Sequence, residues 1–518
     1  MPLTGPPLEA PVHMPHLLRV GLTQVPDAMA LVSTTTPRTW QDLDKMSDNL
    51  AGNLLDLGLS PGDRVASLMP NRAALIIHYI ACMKSGLVGV PLNYRYTIPE
   101  IDRALAVSGA SILLAHAERA QELIGSSRVR ELPRGLIFHE AEKERGPSLS
   151  DLIATAPAKK ELRLLKASDP AFVFFTSGST GPAKGVTHSY EAISWMFATA
   201  AAALELVPGD VMLPGSSISH VAGFIFSFAA LAVGARVVIA RTFDSQEILG
   251  LLREHRPTVL WMQPAMLFRL IRDHGALRED FGSLRLCRSG SDKVPAGLAR
   301  EFTELTGMVI NEGFGMTEVG VATMNPPSGV TKVGSVGRAA PGVHLSIRDK
   351  DGREVPAGTE GRLWISSPSR TMGYWGDPAA TAAVIRDGWL DSGDVMKADD
   401  EGYLTFCGRE KQLIVHDGSN ISPQEVEDAL LQHAAVEIAG VVGVRDPLHG
   451  ENVRAYVTLK PDAAKPMEQE LIDFARARVG YKAPEKVEFL AQMPLNAGKL
   501  DRAALKRLAA TRDGAEAL

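Results

Sequence analysis

Basic runs are missing from this 518-residue chain, in which 54 lysines and arginines face 60 aspartates and glutamates for a formal net charge of −6. Without a Lys/Arg block there is no electrostatic footprint for nucleic acid or an anionic membrane, and neither is expected as a partner. Cysteine is scarce too. The three that occur, Cys82, Cys287 and Cys407, are far apart and odd in number. They exclude a disulfide framework and a cysteine metal site, and they point to the reducing cytoplasm. Long apolar runs are lacking: the longest stretch free of Asp, Glu, Lys and Arg, 211–235, is broken by Pro214, Gly215, four serines and His220. It reads as a buried helix ending near Gly234, too short to span a bilayer. The first residues, Met1-Pro2-Leu3-Thr4-Gly5-Pro6-Pro7, show neither the basic region nor the apolar core of a secretion signal.

What is present is ordinary globular material, 45% hydrophobic and 22% charged, long enough for two or more domains. Trp40, Leu43, Leu50, Leu54 and Leu57 recur at helical spacing, and Gly58 with Ser60-Pro61-Gly62-Asp63 ends that helix. Val65–Met69 reads as a strand. Helices near 72–85 and 99–108 then alternate with apolar runs at 87–92 and 111–114, and the pattern resumes from Phe172 through Ile239, Val259 and Arg285 to Val309-Ile310. Such alternation predicts an α/β protein with doubly wound, mostly parallel sheets. After Gly334 the texture changes to short strands and turns, an expected antiparallel β subdomain over about 334–408. Beyond Arg409 the chain reads as a small α/β domain, 409–518, with helices at 423–432 and 468–479. The large domain is therefore expected over 1–408.

One segment narrows the chemistry. The apolar run Ala171-Phe172-Val173-Phe174-Phe175 leads into Thr176-Ser177-Gly178-Ser179-Thr180-Gly181-Pro182-Ala183-Lys184-Gly185. Small residues let backbone N–H groups converge on an anion, the hydroxyls add donors, and Lys184 adds a cation. The nucleotide P-loop pattern G-x-x-x-x-G-K-[ST] does not fit, because Ala183 stands at its second glycine and Gly185 follows the lysine.

Four further signals follow in order: Gly313-Phe314-Gly315-Met316-Thr317-Glu318, Gly388-Trp389-Leu390-Asp391-Ser392-Gly393-Asp394, Gly408-Arg409-Glu410-Lys411 and Asn496-Ala497-Gly498-Lys499. Together with 176–185 they resemble the signatures of the adenylate-forming superfamily of acyl-CoA synthetases, peptide-synthetase adenylation domains and luciferases, from about Trp40 to Arg502. The chain looks most like a bacterial-type acyl-CoA synthetase. The resemblance implies an AMP-forming acid–CoA ligase that uses ATP, Mg2+ and coenzyme A, with a small-molecule carboxylic acid as the remaining substrate. It also implies that the small C-terminal domain is mobile.

The same resemblance implies roles residue by residue. Thr176, Ser177, Gly178, Ser179, Thr180, Gly181 and Lys184 would hold the β- and γ-phosphates; Glu318 would bind Mg2+ and Thr317 the α-phosphate. Glu312, Gly313 and Phe314 with Gly290 and Ser291 would enclose the adenine. Asp394 would bind the ribose hydroxyls, with Arg409 behind it. Lys499 would bridge the carboxylate and the α-phosphate. Lys411 would be the hinge, Gly418 and Ser419 would border the CoA tunnel, and His220 would stand where acyl pocket and tunnel meet. Trp195, Phe224 and Met262 would line the acyl pocket, which suits an aromatic or medium-chain monocarboxylate. Arg288, near that pocket, reads more simply as one half of a structural salt bridge.

Departures from the family pattern are Ala183 for proline, Phe314 for tyrosine, Asp292 for a small neutral residue, Asp417 for glycine, and a 494–499 segment one residue short. A carrier-protein thiol in place of CoA is one alternative, and a non-catalytic nucleotide or acyl binder is another of a different class. Nothing in the sequence specifies or excludes a homo-oligomer.

Overall fold

The structure, a computed structural model, describes residues 3–33, 37–140, 148–158, 165–176, 184–242, 244–291, 294–409, 412–416, 419–446, 450–496 and 499–516. Contacts divide the chain into two compact units: 1–294, 298–345 and 365–390 form the first, and 295–297, 346–364 and 391–518 the second. The boundary expected near Arg409 lies inside the second unit.

In chain order the first unit is built from β1 (Met29–Ser33), α1 (Trp40–Asp56), β2 (Arg64–Leu68), α2 (Ala73–Ser85), β3 (Val88–Pro91), α3 (Ile98–Ser108), β4 (Ile112–His116), β5 (Pro170–Thr176) and β6 (Lys184–Ser189). It continues with α4 (Tyr190–Ala203), β7 (Val211–Gly215), α5 (Val221–Ala232), β8 (Arg236–Ile239), β9 (Val259–Met262), β10 (Leu286–Ser289), β11 (Asn311–Met316) and β12 (Gly320–Met324). Among the described residues one sheet runs β6-β5-β3-β2-β4, with short strands at both edges. A second runs β12-β11-β10-β9-β7-β8-β1. Parallel pairing dominates the interior of both, as the alternation predicts.

Local rules explain these elements. Thr39 caps α1 in a reciprocal box: its hydroxyl accepts from Asp42 N at 3.1 Å, and the Asp42 carboxylate accepts from Thr39 N at 3.0 Å. Trp40, Leu43, Leu50 and Leu54 then fall on the buried face, and the chain leaves the helix through Gly58 at φ +84°. α2 is buried all round, so its one lysine must be paired. Lys84 reaches Asp44 and Asp48 of α1, each at 2.7 Å. α5 lies between the two sheets. Phe224 and Phe228 meet Tyr79 and Phe172 on one side, while Phe226 meets Trp261 of β9 on the other. Among the described residues no helix is long and apolar enough to cross a membrane.

One strand end is displaced from the sequence reading. Val309-Ile310 precedes the strand rather than forming it; β11 begins at Asn311, and Val309 is 42% exposed.

The second unit holds β13 (Trp389–Ala398, from Asp391 onward) paired antiparallel with β14 (Leu404–Arg409). A further sheet contains the long antiparallel pair β15 (Val436–Asp446) and β16 (Gly450–Leu459), with β15 at its edge, and α6 (Pro423–Leu431) and α7 (Glu468–Val479) are the two helices the sequence predicts at 423–432 and 468–479. Leu495–Asn496 and Lys499–Leu500 form a short antiparallel pair.

Candidate active site

β5 is buried through Phe174, and it does not feed a helix as the strand of a nucleotide P-loop does. It returns as β6, antiparallel, with Thr176 opposite Lys184. The predicted phosphate-binding residues Ser177, Gly178, Ser179, Thr180 and Gly181 lie outside the described residues. Their two anchors do not: half-buried Thr176 and exposed Lys184 stand side by side at the strand ends.

Lys184 Nζ sits 4.7 Å over the Tyr374 ring, and the Tyr374 hydroxyl donates to Glu318 Oε1 at 3.0 Å. Glu318 itself is buried. Burial and the neighbouring carboxylate push the Tyr374 phenol well above its ordinary pKa, so it stays a donor. The turn bearing Thr317 and Glu318 is pinned from both sides. His188 Nε2 donates to Thr317 O at 2.8 Å, and Thr371 N donates to Glu318 O at 2.7 Å. Burial lowers the His188 pKa to about 4, which keeps the ring neutral. Sequence reasoning missed both His188 and Tyr374 as site residues. A buried His beside β5 carries no motif, and Tyr374 is 56 residues from its carboxylate partner.

The segment predicted to enclose the adenine is assembled on neighbouring strand ends. Glu312 is opposite Ser289 in the parallel β10–β11 pair, and its carboxylate accepts from Val294 N at 3.2 Å. Phe314 N donates to Thr323 Oγ1 at 3.2 Å, which fixes the half-buried Phe314 beside β12. Gly290 is buried, and exposed Ser291 takes a left-handed φ of +67° just after it. Asp292 lies outside the described residues.

On α5, His220 is exposed and caps the helix: its Nδ1 accepts from Ala222 N at 3.3 Å. Phe224 is fully buried among Tyr79, Phe172, Phe174, Phe197 and Phe228. Met262 is fully buried in the cluster on the other face of β9, and Trp195 of α4 is half-buried. Among the described residues Arg288 has no salt-bridge partner, contrary to expectation. Its Nε and Nη1 are buried without a hydrogen-bond partner among the described residues.

In the second unit Asp394 and Arg409 face each other across β13–β14, and Arg409 Nε donates to Asp394 Oδ1 at 3.0 Å. The Asp394 side chain is 2% exposed and that of Arg409 53%. Lys499 is exposed at the end of its short strand, opposite Asn496. Lys411 and Gly418 lie outside the described residues. Ser419 is in a short strand, paired with His416, and its side chain is not described. Among the described residues no group of three His, Cys, Asp or Glu side chains could hold a metal ion by itself.

Residues 18–375 match the family model for AMP-binding enzymes, and 425–499 match that for the AMP-binding enzyme C-terminal domain. The chain belongs to the AMP-binding enzyme family. It is 33% identical to a feruloyl-CoA synthase of Amycolatopsis over 93% of this chain and 96% of that one. A long-chain-fatty-acid–CoA ligase of Bacillus subtilis is 30% identical, with 94% and 92% of the two chains covered. Among solved structures, ATP-bound MatB from Rhodopseudomonas palustris superposes with a TM-score of 0.89 at 28% identity, covering 96% of this chain and 99% of the other.

Proposed function

We infer that the chain is an ATP-dependent, AMP-forming acid–CoA ligase. A carboxylate oxygen attacks the α-phosphorus of ATP, pyrophosphate leaves, and the CoA thiol then attacks the acyl carbon to release AMP. The observation that carries this reading is the Lys184–Tyr374–Glu318 array beside the phosphate-binding strand end. It places a cation and a buried carboxylate together, as an in-line displacement at phosphorus requires.

The family resemblance supplies the roles, and the chemistry gives each a reason. Negative charge builds up where two anions meet, so Thr176 and Lys184, with the 177–181 segment, neutralise the leaving pyrophosphate, and Thr317 holds the α-phosphate. Glu318 is the carboxylate suited to Mg2+, which takes one or two carboxylates and fills its remaining positions with phosphate oxygens and water. The ion would offset phosphate charge. Glu312, Gly313 and Phe314 with Gly290 and Ser291 border the adenine. Asp394 accepts from both ribose hydroxyls, and the Arg409 hydrogen bond keeps its carboxylate oriented. Lys499 bridges acid and α-phosphate during adenylation. For the thiol step, residues from 409 onward would turn about Lys411 and bring Gly418 and Ser419 to the CoA tunnel.

The acyl pocket we place between the start of α5 and the C-terminal ends of β9–β11, beside His220. Phe224 and Met262, assigned to its lining by the resemblance, are instead buried on the faces of α5 and β9 turned away from it, and half-buried Trp195 of α4 remains a candidate wall. The cytoplasm, where ATP and CoA are supplied, is the compartment that suits this chemistry. The test is acid-dependent pyrophosphate release that collapses in Lys499→Ala, with CoA and a carrier protein offered separately as thiols. Release that needs no acid would refute the reading.

A further inference from the structure

Arg288 is a buried cation that no described residue neutralises. It occupies the penultimate position of β10, 3% exposed, opposite Trp261 of β9 and Asn311 of β11. Cys287 beside it points into the hydrophobic cluster on one face of the sheet. Alternation therefore sends Arg288 to the other face, toward α5. There its Cζ lies 5.4 Å from the Phe226 ring, whose own neighbour is Trp261. Other arginines drawn inward carry carboxylates: Arg285 pairs with Asp210 at 2.6 Å and Arg502 with Glu427 at 2.6 Å. Arg288 has neither an ion pair nor a carbonyl among the described residues, and Nε and Nη1 are orphaned.

An unpaired buried guanidinium costs several kcal/mol, far more than a side chain of mere packing value would justify. Room has been made for it as well. A Cβ on Gly313 would lie 2.3 Å from Nη1 and 2.8 Å from Nη2, so the guanidinium rests against a glycine in the adenine-binding segment. It thus stands at the carboxyl ends of the parallel strands, where open α/β sheets bind ligands. α5, which carries His220 at its start, forms the other wall.

We propose that Arg288 binds a second carboxylate on the acid substrate, carried on the acid's body away from the carboxylate that is activated. A carboxylate accepts the paired N–H donors of a guanidinium in one plane, which a neutral hydrocarbon tail does not. The substrate class is therefore a dicarboxylic acid, aromatic or aliphatic, rather than the monocarboxylate the sequence suggests. Phe226 and Trp261 supply the apolar wall beside the charge. This proposal rests on the ligase reading.

Matched acids test it. The full chain is assayed for AMP formation with ATP, Mg2+ and CoA on hexanoate against adipate and cinnamate against 4-carboxycinnamate, in wild type, Arg288→Met and Arg288→Lys, with melting temperatures recorded. In at least one pair wild type should favour the diacid by roughly 100-fold or more in kcat/KM. Arg288→Met should abolish that preference while monoacid turnover stays within about threefold, and Arg288→Lys should retain part of it. Wild type without a diacid preference overturns the proposal even where Arg288→Met does not fold. So does an equal loss on both members of a pair, which would place Arg288 at the reacting carboxylate or in the scaffold. AMP formation from the monoacids with no preference for either diacid sinks this proposal and leaves the ligase reading standing, whereas no AMP from any acid sinks both.

Discussion

Tyr374 donates its hydroxyl to Glu318 Oε1 at 3.0 Å, and so orients the carboxylate proposed to hold Mg2+. Tyr374→Phe removes one hydrogen bond to a charged group and leaves the ring under Lys184. The expected loss is about 1.5–3 kcal/mol, or roughly 10- to 100-fold in kcat/KM for adenylation. It should be partly recovered by raising Mg2+ in a pyrophosphate-release assay. A loss insensitive to Mg2+ would place the hydroxyl's role elsewhere.

Asp394 is almost wholly buried and can accept from two ribose hydroxyls only as a carboxylate. Asp394→Asn should raise the KM for ATP by roughly 10-fold or more, with the KM for the acid unchanged. Titrating each substrate separately in steady-state assays checks this.

Lys499 is exposed on its short strand and is assigned to adenylation alone. Lys499→Ala should cut acyl-adenylate formation by about 100- to 1000-fold. Thioester formation from supplied acyl-adenylate and CoA should remain near the wild-type rate. Equal losses in both half-reactions would contradict the division of labour.

His188 should make the first unit sensitive to acid. Burial lowers its pKa from 6.5 to about 4, so the unfolded chain takes up a proton there before the folded one does. The stability this neutral ring contributes is present above about pH 6.5 and lost as pH falls toward 4, on the order of a few kcal/mol. His78, buried in α2 with its pKa lowered to about 3, acts in the same direction. His188→Gln keeps an N–H for Thr317 O and should flatten the melting temperature between pH 6.5 and 4 relative to wild type.

Much of the fold is legible because local periodicity decides it. Thr39, Trp40 and Gly58 mark the limits of α1, and the helix read at 468–479 is present over those residues. What resists reading is long-range. Nothing local tells that β5 turns back on itself so that Thr176 meets Lys184, or that Tyr374 crosses to Glu318. Arg288 was harder still. A salt bridge is the ordinary fate of a buried arginine, and only three-dimensional packing shows that no described carboxylate accompanies it. His220 keeps an apolar sequence neighbourhood and yet is exposed, because helix capping draws it to the start of α5.

The most direct measurement is a nucleotide chromatogram of the full chain incubated with ATP, Mg2+, CoA and a panel of mono- and dicarboxylic acids. The account predicts AMP, pyrophosphate and acyl-CoA in equal amounts, only when an acid is present. ADP as the product, or AMP formed without an acid, would contradict it.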